Sequence, residues 1–168
     1  DNWFKMTPLE RRGSSADLVW SFEGEDTSDL GVEEIDYLRS IPEYEIVSAN
    51  GSSILLSHYV CPDFTGSTTR YVERQHQMKE LWKFMHSLNI TYSMSGHSHK
   101  PFAYFSHNVP VSFVKALHPV PGDRIFLGHE MTMILLPPLT GGNGRTSFSV
   151  MDTETGMLNI IHEKVTKG

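Results

Sequence analysis

One strongly amphipathic stretch, Arg70 to Leu88, lies between two short apolar runs, and this arrangement constrains the fold more than any other feature. Met78, Leu81, Trp82, Met85 and Leu88 recur at helical spacing, while Arg74, Gln77 and Lys83 fall elsewhere on the same helix. Before it stands Ile54-Leu55-Leu56, closed by Ser57-His58; after it comes Ile90 to Ser95. Apolar runs of four to eight residues suit strands with both faces covered. If the strands on either side of this helix are parallel neighbours, both end at the same edge of the sheet. Polar side chains just past such strands collect at one sheet edge, where the sites of α/β proteins concentrate.

The flanking segments fit one domain spanning residues 1–168. The opening stretch to Thr27 is mixed. Trp3, Phe4, Met6 and Leu9 can share one side of a short helix with Pro8 in its first turn, and Gly13-Ser14-Ser15 reads as a loop. Leu30 to Ser40 reads as a helix with Val32, Ile35 and Leu38 at helical spacing, Asp29 as N-cap and Pro42 as its end. Tyr44–Ala49 and Ser53–His58 read as a hairpin across Asn50-Gly51. After Ser95 the chain is strand-rich, with strands expected over 102–106, 111–117, 124–127, 131–136, 146–152 and 157–163. Turn signals such as Pro121-Gly122-Asp123, Pro137-Pro138 and Thr155-Gly156 separate them. The fold class is α/β, with antiparallel β structure in the later part.

Composition narrows the function. Asp and Glu total 20 against 14 Lys and Arg, a formal charge of −6, and no basic stripe interrupts the acidic balance. That argues against nucleic acid as a partner. No apolar run approaches the roughly 18 residues of a membrane span. Cys61 is the single cysteine, which excludes an intrachain disulfide and a cysteine-rich zinc site, and it accords with a cytoplasmic setting.

Of nine histidines, His76, His86, His107, His118, His129 and His162 lack a partner at ligand spacing and read as ordinary surface or core residues. Gly96-His97-Ser98-His99 differs, because it directly follows an apolar strand. If the chain stays extended there, His97 and His99 share one side with Cα atoms about 6.6 Å apart. Two imidazoles at that spacing can each reach one of two metals roughly 3.5–4 Å apart. The plainer reading is a surface turn carrying two histidines. His58, ending the Ile54–Leu56 run, is a third candidate ligand, or simply a capped strand end.

Together these residues resemble the calcineurin-like metallophosphoesterase family. His58 matches its lone histidine after a buried strand, and Gly96-His97-Ser98-His99 matches its Gly-His-x-His motif, continued by Lys100-Pro101-Phe102. Leu136-Pro137 through Gly141 and Arg145 resembles the family's late loop, and 146–156 its closing hairpin, although Leu136, Pro138 and Leu139 replace Asn, Gly and Ser there. Tyr59 stands where many members have glycine. The family's Asp-x-His, Gly-Asp-x-x-Asp and Gly-Asn-His-Asp motifs do not occur, and Asp1 matches at most the last residue of the third.

The resemblance implies the C-terminal half of a metallophosphoesterase-like β-sandwich flanked by helices. It implies a phosphoesterase that uses a hydroxide bridging two divalent metal ions (Mn, Zn, Fe or Ni) on a small phosphorylated substrate or a phosphoprotein. His58 and His97 would bind one metal and His99 the other, with Arg145, His118 or Lys100 available to phosphate. With no bridging carboxylate in evidence, this chain alone is expected to bind metal weakly and to turn over little substrate. The alternatives are a non-catalytic protein-binding scaffold of the same fold and a mononuclear zinc hydrolase built on the three histidines. Oligomeric state is not legible.

Overall fold

The computed structural model describes residues 29–66, 75–97, 103–107, 115–116, 124–139 and 145–164. The expected opening helix, the start of the Arg70 helix and most of the expected 111–117 strand fall outside these residues, as do His99, Lys100 and His118. Among the described residues there are two α-helices and nine strands, and the strands form two sheets.

The first hairpin forms where its turn chemistry demands. Strand β1 (Tyr44–Ala49) pairs antiparallel with β2 (Ser52–Ser57), and Asn50 and Gly51 take φ of 47° and 77° between them. A two-residue turn with both central φ angles positive matches the twist of the strands it joins, and Asn-Gly is the pair that tolerates it best. Strand β2 ends at Ser57, one residue before the expected end. Thus His58 begins the following bend rather than closing the strand.

The crossing helix comes next. A 3₁₀ turn (Gln75–Met78) leads into α2 (Lys79–Ser87), which buries Leu81, Trp82 and Met85 and leaves Glu80 and Lys83 paired at its surface. Its end is chemically defined. Asn89 takes a left-handed φ of 53°, its N–H donates to the His86 carbonyl, and the Ile90 N–H donates to the Met85 carbonyl. This pair of hydrogen bonds across the last turn is the Schellman arrangement, and burial of Ile90 and Met85 in one cluster supplies its usual apolar contact. The chain then enters β3 (Tyr92–Ser95).

Helix α1 (Val32–Ser40) departs from its expected form. It starts two residues late, Gly31 rather than Asp29 occupies the N-cap without a side-chain bond, and no residue of α1 is buried. Val32, expected on the apolar face, is 76% exposed. The periodicity was sufficient for a helix, but burial requires a partner surface, which local pattern does not supply.

The larger sheet has the order β1-β2-β3-β7-β4-β5, adding β4 (Ala103–Ser106), β5 (Lys115–Ala116) and β7 (Thr132–Leu135). Its centre is parallel. Strand β2 pairs with β3, and β3 with β7, so that Ser57, Ser95 and Leu135 lie in one row at the carboxyl edge. Strands β6 (Arg124–Phe126), β9 (Met157–Lys164) and β8 (Arg145–Asp152) make a separate antiparallel sheet in that order.

Two apolar clusters follow the alternation of side chains along the central strands. Leu55, Met133 and Leu135 pack with Leu81, Trp82 and Met85 of α2. Ile54, Tyr92 and Ile134 pack with Leu127, just past β6, and with Leu158 and Ile160 of the smaller sheet. Leu56, expected inside, is 40% exposed, because the second cluster takes in Ile54 and stops short of it. Among the described residues, no helix is long and apolar enough to cross a membrane.

Burial separates two adjacent leucines. Leu55→Ala should lower unfolding free energy in urea by about 2–5 kcal/mol, because fully buried methyl groups leave a cavity. Leu56→Ala should cost less than about 1 kcal/mol. Equal losses at the two positions would show that the sheet face beyond Ile54 is covered.

Candidate metal centre

The parallel β2–β3 pairing carries its register past the strand ends. The Gly96 N–H donates to the His58 carbonyl at 3.0 Å, and the Leu136 N–H donates to the Ser95 carbonyl at 2.7 Å. His58 and the Gly96-His97 turn are thereby pinned side by side at one edge. There His58 Nε2 and His97 Nδ1 lie 3.0 Å apart, across 39 positions of sequence, with the ring planes at 76°. His58 is exposed and His97 half-buried, so the pair opens to solvent on the His58 side.

Local backbone makes this meeting possible. His97 takes φ of 64°, in the left-handed region where histidine is more tolerated than most residues and where an L-residue still pays of order 1–2 kcal/mol. The extended run expected from Gly96 to His99 is therefore broken at His97, and the roughly 6.6 Å spacing argument for His97 and His99 does not describe this turn. The loop after His58 folds back on the pair. The Tyr59 N–H donates to the Phe64 carbonyl at 2.8 Å, the Asp63 N–H to the Val60 carbonyl at 2.9 Å, and the Gly66 N–H to the Asp63 carbonyl at 3.1 Å. Gly66 arrives with φ of 67° and so close that a Cβ there would fall 2.5 Å from His97 Nδ1 and 2.9 Å from His58 Cδ2. Only glycine fits that conformation and that approach.

Three other groups lie in or beside this loop. The Cys61 thiol is buried, and burial, reinforced by the charge of Glu80, raises its pKa above the ordinary thiol value. The thiolate that a metal needs is disfavoured there. Asp63 contributes its backbone to the loop turns. Tyr59, 2% exposed, lays its ring against His97 with centroids 4.6 Å apart and planes at 46°.

The donor set can be tested against a metal. Imidazole nitrogens bind zinc at about 2.0–2.1 Å, and two of them on one tetrahedral ion stand roughly 3.3 Å apart. The observed 3.0 Å is within a few tenths of an ångström of that separation. A hydrogen bond between the rings needs one nitrogen protonated, so an ion entering between them would displace one proton. The two histidines thus fit a shared cation. Among the described residues, however, no group of three or more His, Cys, Asp or Glu side chains is placed to hold one.

Of the residues singled out in the sequence, His58 and His97 are brought together. His99 lies outside the described residues. Arg145 opens β8 opposite Lys164. Its neighbour Thr146 donates from Oγ1 to the Leu139 carbonyl, which puts this end of β8 beside the loop that leaves the carboxyl edge of β7. Sequence reasoning missed Gly66, read only as a loop residue, and the contact of Tyr59 with His97. A glycine in a polar loop soon after a candidate ligand was the available signal for the first.

No protein-family model matches the chain, and no curated protein does. Among solved structures, a metallophosphoesterase from Sphaerobacter thermophilus is similar, with a TM-score of 0.57 at 17% sequence identity. The alignment covers 82% of this chain and 53% of that one, so the chain spans about half the length of the structure it matches. At that identity the likeness is one of fold. The chain has a mixed α/β, metallophosphoesterase-like fold.

Gly66→Ala should force the loop off the imidazole pair, because both space and φ oppose a Cβ. Lower thermal stability, together with loss of the His58–His97 hydrogen bond in imidazole NMR spectra, is the expected outcome. A variant with parent-like ring resonances would show that the loop does not press on the pair.

Proposed function

We propose that this chain carries part of a metal-dependent phosphoesterase, the C-terminal portion of a metallophosphoesterase-like β-sandwich flanked by helices. The observation that carries this reading is the 3.0 Å approach of His58 Nε2 and His97 Nδ1 at the carboxyl edge of two parallel neighbours. The likeness of fold supports it. His58 and His97 would share one divalent ion, and His99 would serve a second. Such ions offset the negative charge of a phosphate ester and activate water toward it.

The chain's own residues do the rest. The β2–β3 register and the left-handed turn at His97 hold both donors before any ion arrives, which limits the ordering cost of binding. Gly66 leaves the pair accessible by keeping its loop free of a side chain. Arg145, at the end of β8 beside the Leu139 loop, is the candidate to receive the phosphate, since a guanidinium can grip two of its oxygens at once. The substrate class is a small phosphorylated molecule or a phosphoprotein. Two imidazoles are neutral ligands and leave a dication's charge uncompensated, so carboxylates from elsewhere are required for tight binding.

A protein-binding scaffold of the same fold is the second reading. Titration distinguishes the two. Zn²⁺ or Mn²⁺ should bind the chain with a dissociation constant above about 1 μM, and His58→Ala or His97→Ala should weaken binding by at least about tenfold. Hydrolysis of p-nitrophenyl phosphate by the chain alone should stay near background. Tight stoichiometric binding of two ions would contradict the partial-site reading, and zinc affinity unaffected by either substitution would favour the scaffold.

A further inference from the structure

His97 is held by more than its partner ring. Its imidazole meets the ring of Tyr59, and Tyr59 itself has little room to move. Tyr59 is 2% exposed and belongs to the cluster that contains Leu55, Phe64, Leu81 and Met85. Its backbone is tied twice: its N–H donates to the Phe64 carbonyl, and its carbonyl accepts from Ser57 Oγ at 2.5 Å. A ring so anchored, with its centroid 4.6 Å from that of His97 and its plane tilted by 46°, lies within the range of favourable aromatic contacts.

The orientation of His97 matters chemically. The terminal torsion of a histidine is roughly two-fold, and rotation by half a turn exchanges Nδ1 with Cδ2. Only one of these two settings lets Nδ1 face His58 Nε2. Gly66, whose added Cβ would lie 2.5 Å from Nδ1 and 2.7 Å from Cε1, restricts the ring further but has no side chain to stack on it. The buried aromatic ring in tilted contact with it is that of Tyr59.

We propose that Tyr59 is a positioning residue whose buried ring fixes the plane of the His97 imidazole, and that within this plane the hydrogen bond to His58 Nε2 selects the setting that presents Nδ1 to His58 and to a shared transition-metal cation. The functional half of this inference rests on the reading of His58 and His97 as metal ligands. The structural half, the orientation of the ring, does not.

The test uses the full 168-residue chain with nitrogen-15 histidine. Imidazole spectra are recorded without metal, the His97 signals are assigned by comparison with His97→Gln, and Zn²⁺ is then titrated as probe. Tyr59→Phe keeps the ring and should retain the parent His97 tautomer and hydrogen bond, with zinc affinity within about threefold. Tyr59→Leu removes the ring and should move both His97 nitrogens toward exchange-averaged shifts, with zinc affinity about tenfold lower, the scale of lost ligand support. A residue that only fills the core would lower thermal stability in Tyr59→Leu and leave the His97 spectrum alone, and that result overturns the inference. So does loss of the His97 hydrogen bond in Tyr59→Phe, which remains informative even where the leucine variant fails to fold. If His58→Ala leaves zinc binding unchanged, the metal reading falls, and the metal-free spectra still decide the role of Tyr59.

Discussion

Parallel pairing of β2 with β3 is the constraint on which the rest of the site depends. Its register sets Ser57 opposite Ser95, and one further hydrogen bond, from Gly96 to His58, carries the alignment beyond the strands. Backbone bonding thereby sets two residues from distant stretches side by side. A slip of one residue would turn each side chain to the opposite face and separate the donors. Burial of Leu55 on one face and Ile54 on the other resists such a slip, since each has a cluster waiting only in the observed register.

Around that alignment the backbone accepts local strain. His97 occupies a left-handed conformation, and Gly66 is driven into the space beside it. Strain of this kind persists where surrounding structure over-determines it, and it gathers at functional positions. Here the surroundings are identifiable: the folded loop after His58, the anchored ring of Tyr59 and the ladder bond at Gly96. In the same loop, burial and the charge of Glu80 raise the pKa of the Cys61 thiol.

The two sheets are joined at more than their apolar interface. Asn50 in the first hairpin turn donates to Thr153 in the last one at 2.9 Å, and the Tyr92 hydroxyl donates to the Gly128 carbonyl. At the opposite end, Thr146 bonds the Leu139 carbonyl. The last of these ties holds the start of β8 beside the loop that leaves β7.

Sequence alone determined the local elements. Asn50-Gly51 specified its turn because few residues accept two positive φ angles, the Met78–Met85 spacing specified a buried helix face, and short apolar runs specified the central strands. It also singled out His58 and His97 by their place after those strands. Local pattern was insufficient for Val32 and Leu56, whose burial depends on what lies opposite. It was insufficient too for the left-handed turn at His97, which an isolated Gly-His-Ser-His would not require. The 3.0 Å meeting of two rings 39 residues apart was decided by tertiary structure, because strand register and the loop packed on Tyr59 are non-local and no periodicity within either segment encodes them.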